Sequence, residues 1–239
     1  MSWLRTTRAK LWLTFAVVLS LLATWPLSAA FQIFGLDKMG VSARSLRGPV
    51  WWGGAEELEV GGVRLGTVDV FLNPLGLLIG RARMDIARKF GKSDDIAGGI
   101  TLGFGSRSLD DVTGAVPLAE ALAPLPVSRI EFEKFSAQFS GDRCAKAEGR
   151  ARIRVSIPVS GLNLSNGLAG DVRCDGDALM LPLVSQSGQE HLDVRIKANG
   201  TFEGTMRIRT SDPQLALGLA ASGFRASGGD QMLRVTGKL

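Results

Sequence analysis

Gly149-Arg150-Ala151-Arg152-Ile153-Arg154-Val155 alternates arginine with small or apolar residues. A period of two is what a strand with one buried and one wet face requires. The pattern recurs along the chain. Ala82, Met84 and Ile86 alternate with Arg81, Arg83 and Asp85; Leu192, Val194 and Ile196 alternate with Asp193, Arg195 and Lys197; Met206 and Ile208 alternate with Arg207 and Arg209. Glycines punctuate these runs at Gly53-Gly54, Gly61-Gly62, Gly98-Gly99, Gly149, Asn199-Gly200 and Gly228-Gly229. Asn199-Gly200 suits a two-residue type I′ hairpin, because Asn and Gly best tolerate positive φ. Past the N-terminus only Val116–Leu122 and Pro213–Ala221 read as helix, the latter with Asp212 as N-cap and Pro213 at N1. The expected class is all-β and mainly antiparallel, with roughly a dozen short strands in one meandering sheet and two short helices. Two short helices cannot cover that many strands, so the sheet must curl, fold over itself, or bind something. A curled groove or half-barrel follows, with Met84, Ile86, Ile153, Val155, Val194, Ile196, Met206 and Ile208 as its apolar lining.

Leu11 to Leu36 carries no charged residue, with Leu11–Ala23 its most apolar part. About 20 such residues span a bilayer, so the stretch is expected to be a transmembrane anchor. Arg5, Arg8 and Lys10 precede it and no basic residue follows until Lys38, which places the N-terminus inside and the rest of the chain outside. The alternative is a signal peptide cleaved after Ala30, since Ser28-Ala29-Ala30 offers small residues at the right positions. In the anchor reading residues 1–36 form the basic tip and span, and residues 37–239 a β-rich domain; in the alternative the mature chain starts at Phe31.

The net charge of +5 is concentrated in those first basic residues, which leave 25 Lys and Arg against 23 Asp and Glu. No basic block with interleaved aromatics appears, so no nucleic-acid surface is expected. Parts for catalysis are scarce. His191 is the only histidine and opens an alternating strand; with two cysteines far apart, it gives no zinc spacing. Gly91-Lys92-Ser93 imitates a phosphate loop, but Ile86 stands where the first glycine belongs. Gly103-Phe104-Gly105 lacks a third glycine and a following helix. Asp94-Asp95 and Asp110-Asp111 read as solvated turns without a calcium loop around them. The expectation is a protein that is not an enzyme and binds no metal or cofactor.

Cys144 and Cys174 are the only cysteines, and export would place them where disulfides form, so a Cys144–Cys174 bond is the default and a free pair the alternative. Trp51 and Trp52 are adjacent, so on a strand one enters the core while the other meets lipid, a partner or the sheet edge; the alternative is plain packing at a bend that the neighbouring glycines permit.

Gly48-Pro49-Val50-Trp51-Trp52-Gly53-Gly54-Ala55 resembles a motif of the type II secretion system protein N family, Gly-x-(Val/Leu)-Trp-x-Gly-x-Ala. Val70 to Gly80, with Pro74, Leu77, Leu78 and Gly80, is similar to a second family element, although Val70-Phe71 replaces its usual tryptophan. Leu109 to Gly114 leading into Val116–Ala119, and Cys144 ahead of Gly149, are also similar. The resemblance is strongest over about residues 40–155 and thin after 180. It implies a single-pass protein of the bacterial inner membrane, its C-terminal domain periplasmic, that assists assembly or function of the secretion apparatus beside other membrane-anchored subunits. The family also resembles AsmA-like proteins, whose sheets form apolar grooves, and this implies the alternative of a lipid-binding groove for lipid shielding or transfer.

Overall fold

The computed structural model describes residues 2–33, 41–60, 63–77, 79–88, 95–117, 127–155, 164 and 166–238. Gly61-Gly62, Gly91-Lys92-Ser93, Asp94, Pro124-Leu125-Pro126, Leu78, the side chain of Val155 and the expected boundary after residue 36 lie outside the described residues.

The apolar N-terminal run forms two helices, α1 (Ser2–Ala23) and α2 (Leu27–Ile33), rather than one uninterrupted span. Pro26 has no N–H to donate and disfavours helical geometry at Trp25, so the helix stops there. Among the described residues no helix is both long and apolar enough to cross a membrane.

From Val41 the chain meanders through one antiparallel sheet. β1 (Val41–Ser42) and β2 (Ser45–Arg47) both pair with β3 (Gly53–Val60). Beyond β3 lie β4 (Val63–Asn73), β5 (Ala82–Arg88), β6 (Ile96–Gly103), β7 (Ser106–Pro117), β8 (Val127–Ser140), β9 (Arg143–Val155) and β10 (Leu168–Asp171), each beside its predecessor. β12 (Ala178–Ser185) pairs with β10 along one end and with β11 (Arg173–Asp175) along the other. β13 (Glu190–Lys197), β14 (Thr201–Arg209) and β16 (Asp230–Lys238) follow, and β15 (Arg225–Ser227) lies at the edge. The sheet is open, with sixteen strands among the described residues. Four of them, β1, β2, β11 and β15, are too short to leave an alternating signature, which is why the sequence suggests fewer.

Helix placement differs from expectation at one end and agrees at the other. Val116 and Pro117 finish β7 instead of opening a helix, and Leu118–Leu122 lie outside the described residues. α4 (Pro213–Ala221) forms as read, with Asp212 Oδ1 accepting the Gln214 N–H at 2.8 Å. A one-turn helix, α3 (Pro74–Leu77), has no counterpart in the reading; Asn73 Oδ1 accepts from Leu75 N at 3.0 Å and Pro74 stands where no donor is needed. The β13–β14 hairpin also departs. Gly200 has φ +82 and its N–H reaches Lys197 O at 3.0 Å, while Asn199 keeps negative φ and uses its side chain to cap Thr201 N. This is a type I turn closed by a left-handed glycine, the three-residue solution rather than type I′.

The register builds core rows. Leu183, Leu192, Met206 and Leu233 stand opposite one another on successive strands, as do Leu181, Val194, Gly204 and Val235. These rows join Ile130, Phe135, Ala151, Ile153 and Leu168 in one cluster, onto which α4 lays Leu215 and Leu219. Ile153, Val194, Met206 and Ile208 therefore face inward as expected, but they are fully covered and line no open groove. The cause is that the sheet curls until Leu65 and Ile96 from β4 and β6 reach this same cluster, while α4 covers the rest. Ile196 packs at its margin. Met84 and Ile86 stay partly exposed beside a smaller cluster of Ala55, Leu58, Val68 and Val70.

Two covalent or polar ties hold the curl. Cys144 on β9 is bonded to Cys174 on β11, with Cα atoms 5.5 Å apart. Arg88, buried on β5, donates to Leu65 O on β4 and, at 3.1 Å, to Ala115 O on β7, so one guanidinium bridges non-adjacent strands. Burial, and then the nearby Arg129 charge, lower its pKa from the usual arginine value, against a smaller opposing pull from Asp95. On the outward face of the later strands, ion pairs form a ladder: Arg195 with Asp175 (2.8 Å), Lys197 with Asp177 (3.0 Å), Arg207 with Asp193 and Arg234 with Glu203 (3.4 Å). The Lys197 hydrogen bond and charge hold the Asp177 carboxyl below its usual range.

Candidate functional site

The segment Gly48–Gly53 forms a joint between helices and sheet. Gly48 has φ +80, which turns its carbonyl to accept Leu27 N at 3.0 Å, and Val50 N donates to Trp25 O at 2.8 Å. Pro26 and Pro49 face each other between these bonds as an isolated antiparallel bridge. Leu27 and Val50 are buried here with Trp25, Leu46, Trp51 and Leu72 packed around them. Gly53 admits this packing: a Cβ on it would lie 2.8 Å from Leu27 Cδ2 and 2.7 Å from Arg47 O. Trp51 thus packs, partly buried, against this small core, while Trp52 is 64% exposed; both lie in the turn before β3, so the turn and not strand alternation divides them.

Trp52 looks onto a cleft of about 690 Å³ on the outward face of β3 to β7. The register explains its floor. Gly54 stands opposite Asp69, Asp69 opposite Ala87, and Ala87 opposite Ala97; in the next row Phe71 faces Asp85, and Asp85 faces Gly99. Small side chains under two exposed aromatics, Trp52 and Phe71, leave a hollow where the rest of that face carries long charged residues. Its rim holds Asp69, Asp110 and Asp111 with the Arg83–Asp85 pair (3.0 Å) and Arg47. Asp110 accepts from the Thr101 hydroxyl at 2.6 Å, and Asp111 sits in a β7 bulge at φ +51. A Cβ at Gly99 would crowd Asp85 Oδ1 at 2.9 Å, whereas one at Gly54 would meet only Val68 O at 3.7 Å.

Pro74, Leu77 and Gly80 do not join this cleft. They form the turn from β4 to β5, with Pro74 opening α3 and Gly80 at φ +71 beneath the Phe104 ring; Leu78 lies outside the described residues. The sequence motifs give no site role to Trp25 and Leu27 of the joint, to Phe71 and Gly54 of the cleft, or to Phe104, although Gly54, Phe71 and Phe104 stand in the stretches quoted above. An aromatic between two glycines at a hairpin tip has no core to enter, and that signal was available at Gly103-Phe104-Gly105. His191 is on the outward face, opposite Val184 and Arg207. Among the described residues no group of three or more His, Cys, Asp or Glu could hold a metal ion.

Fold and site define a helix-led, open antiparallel-sheet protein whose first strands are pinned to its helices by a tryptophan-glycine joint. The chain matches the family described as Type II secretion system (T2SS), protein N, over residues 39–234 and belongs to it. The match runs well past residue 180, where the motifs thin out. The chain is similar to the Type II secretion system protein N of Vibrio cholerae serotype O1, 26% identical over 182 residues that cover 71% of this chain and 70% of that one. No solved structure matches.

Proposed function

We propose that this chain is an inner-membrane-anchored component of the type II secretion apparatus, with its sheet on the periplasmic side, and that it assists assembly or function by contacting other membrane-anchored subunits. Family membership is the observation that carries the reading. The anchor is α1. Leu11, Trp12, Leu13, Phe15, Val17, Val18, Leu19 and Leu21 are exposed all round it, and a helix apolar on every side suits lipid rather than water. Arg5, Arg8 and Lys10 keep its start in the cytoplasm. The Cys144–Cys174 bond accords with an oxidising compartment. The subunit contact is placed at the Trp52–Phe71 cleft, whose aspartate-rich rim suits a segment bearing Lys or Arg.

A photo-crosslinking residue at position 52 should capture another secretion subunit in cells, and Gly54→Val, whose Cβ meets only Val68 O at 3.7 Å while its methyls enter the hollow, should abolish that product. A periplasm-only reporter fused after Leu239 should be active. An inactive reporter, or a crosslink unchanged by Gly54→Val, would overturn the respective part. The lipid-groove alternative has less to rest on, because Ile153, Val194, Met206 and Ile208 are covered by protein.

A further inference from the structure

We propose that the end of the sheet made by α3 and the β6–β7 turn is a second membrane-contact surface, seated at the headgroup level of a phospholipid bilayer beside α1. The inference rests on the anchored reading above and adds a surface to it. Leu75 and Ile79 are each 71% exposed and Phe104 is 95% exposed, with Leu77 and Leu102 exposed beside them. Scattered surface apolar residues need no explanation, but here they share one edge of the molecule.

Topology puts them together. β4 ends at Asn73 and β6 at Gly103, and Asn73 pairs with Arg83 while Ala82 pairs with Leu102, so both turns project from the same end of the sheet. That end also holds the joint, because Gly53, next to the α2 contact, pairs with Val70 near the end of β4. The character of the turns changes with distance from the helix. Those nearest carry Leu75, Ile79 and Phe104, whereas the later turns at this end carry Gly141-Asp142, Gly176-Asp177 and Asn199-Gly200. A water-facing rim would have no reason to be graded in this way.

Two further observations select lipid as the occupant. Arg81, Arg107 and Arg143 are exposed around the apolar tips, as a collar facing lipid phosphates would be. The anchor itself is short: Leu11–Ala23 rises about 20 Å at 1.5 Å per residue, against a hydrocarbon core of about 30 Å. Snorkelling of Lys10 extends it at one end. At the other end α2 is bonded to the sheet at the joint, so a bilayer of ordinary thickness reaches the sheet rim.

The test uses the full chain in vesicles of phosphatidylethanolamine and phosphatidylglycerol. Nitroxide labels are placed on Leu75→Cys, Phe104→Cys, Asn199→Cys and Val18→Cys; the native cysteines are bonded to each other and do not react. Collision with oxygen, which concentrates in lipid, is compared with collision with a water-soluble nickel chelate. The expected result is a marked fall in nickel collisions at 75 and 104, to a level between those at 18 and 199, while 199 keeps them. If 75 and 104 behave like 199 while 18 is in lipid, the contact surface is disproved and the anchor stands. If 18 is also wet, the anchored reading fails and takes this inference with it. Shielding of 104 from both reagents, with spin–spin broadening, would assign the patch to a second copy of the chain and overturn the proposal.

Discussion

Met84, between Arg83 and Asp85, and Met206, between Thr205 and Arg207, stand at equivalent inward-facing places in the alternation, yet Met206 is 0% exposed and Met84 is partly open to solvent. The later strands, β8 to β16, have their inner face closed by α4 and by the curl of the sheet, and their outer face paved with ion pairs. The earlier strands, β3 to β7, hold a small cluster of their own and touch the large one only through Leu65, Ile96, Val112 and Val116, with an arginine at the end of β5 and an uncovered hollow outside. Alternation specifies which face turns inward. Whether that face becomes core depends on what else arrives to cover it, and this is where the two halves part.

The comparison breaks most visibly under a buried charge. Met206→Asp places a carboxylate in a sealed apolar row and should cost more than about 4 kcal/mol, enough to unfold the later strands. Met84→Asp, which can reach water, should cost roughly 1–2 kcal/mol. Urea denaturation followed by circular dichroism compares them; equal losses would mean that the halves are packed alike.

Next in size is the Cys144–Cys174 bond, which closes a loop of 30 residues entirely within the tighter half. The chain-entropy account values such a loop at about 3–4 kcal/mol. The Cys144→Ser, Cys174→Ser double variant should lose that much in denaturant while leaving the Trp52 crosslink in place at permissive temperature. Loss of the crosslink without loss of stability would tie the bond to the cleft instead.

A smaller contrast lies within the open half, at adjacent glycines. Gly53→Ala forces a Cβ against Leu27 and the Arg47 carbonyl and should cost about 1–3 kcal/mol as the joint loosens. Gly54→Ala meets only ordinary contact and should stay within about 0.5 kcal/mol. Thermal melts of the two variants decide it, and matched values would show that the helices are not held at Gly53.

The sheet was legible because period-two alternation is a local property, readable in Ala151-Arg152-Ile153-Arg154 without knowing the partner strand. Coverage was not. That Leu65 on β4 would reach the cluster around Met206 depends on curl, which no window of sequence contains. The Pro26 break was present in the sequence but was overridden by the charge-free run around it. The tryptophan pair divides into a partly buried Trp51 and an exposed Trp52, but through a turn ahead of β3 rather than by alternation along a strand; what Trp51 packs against comes from Trp25 and Leu27, long-range partners that alternation cannot name. The disulfide followed from two cysteines and a compartment, not from geometry. The cleft floor stayed hidden because Gly54, Ala87, Ala97 and Gly99 become one surface only after four strands, β3 to β6, are in register.

Native-state hydrogen exchange read by mass spectrometry, strand by strand on the intact chain, tests the two-part account most directly. It predicts that amides of β12, β13 and β14 exchange only through the largest, near-global openings, while those of β5 and β6 exchange through smaller local ones. Uniform protection across all these strands, or slower exchange in β5 and β6 than in β13, would contradict it.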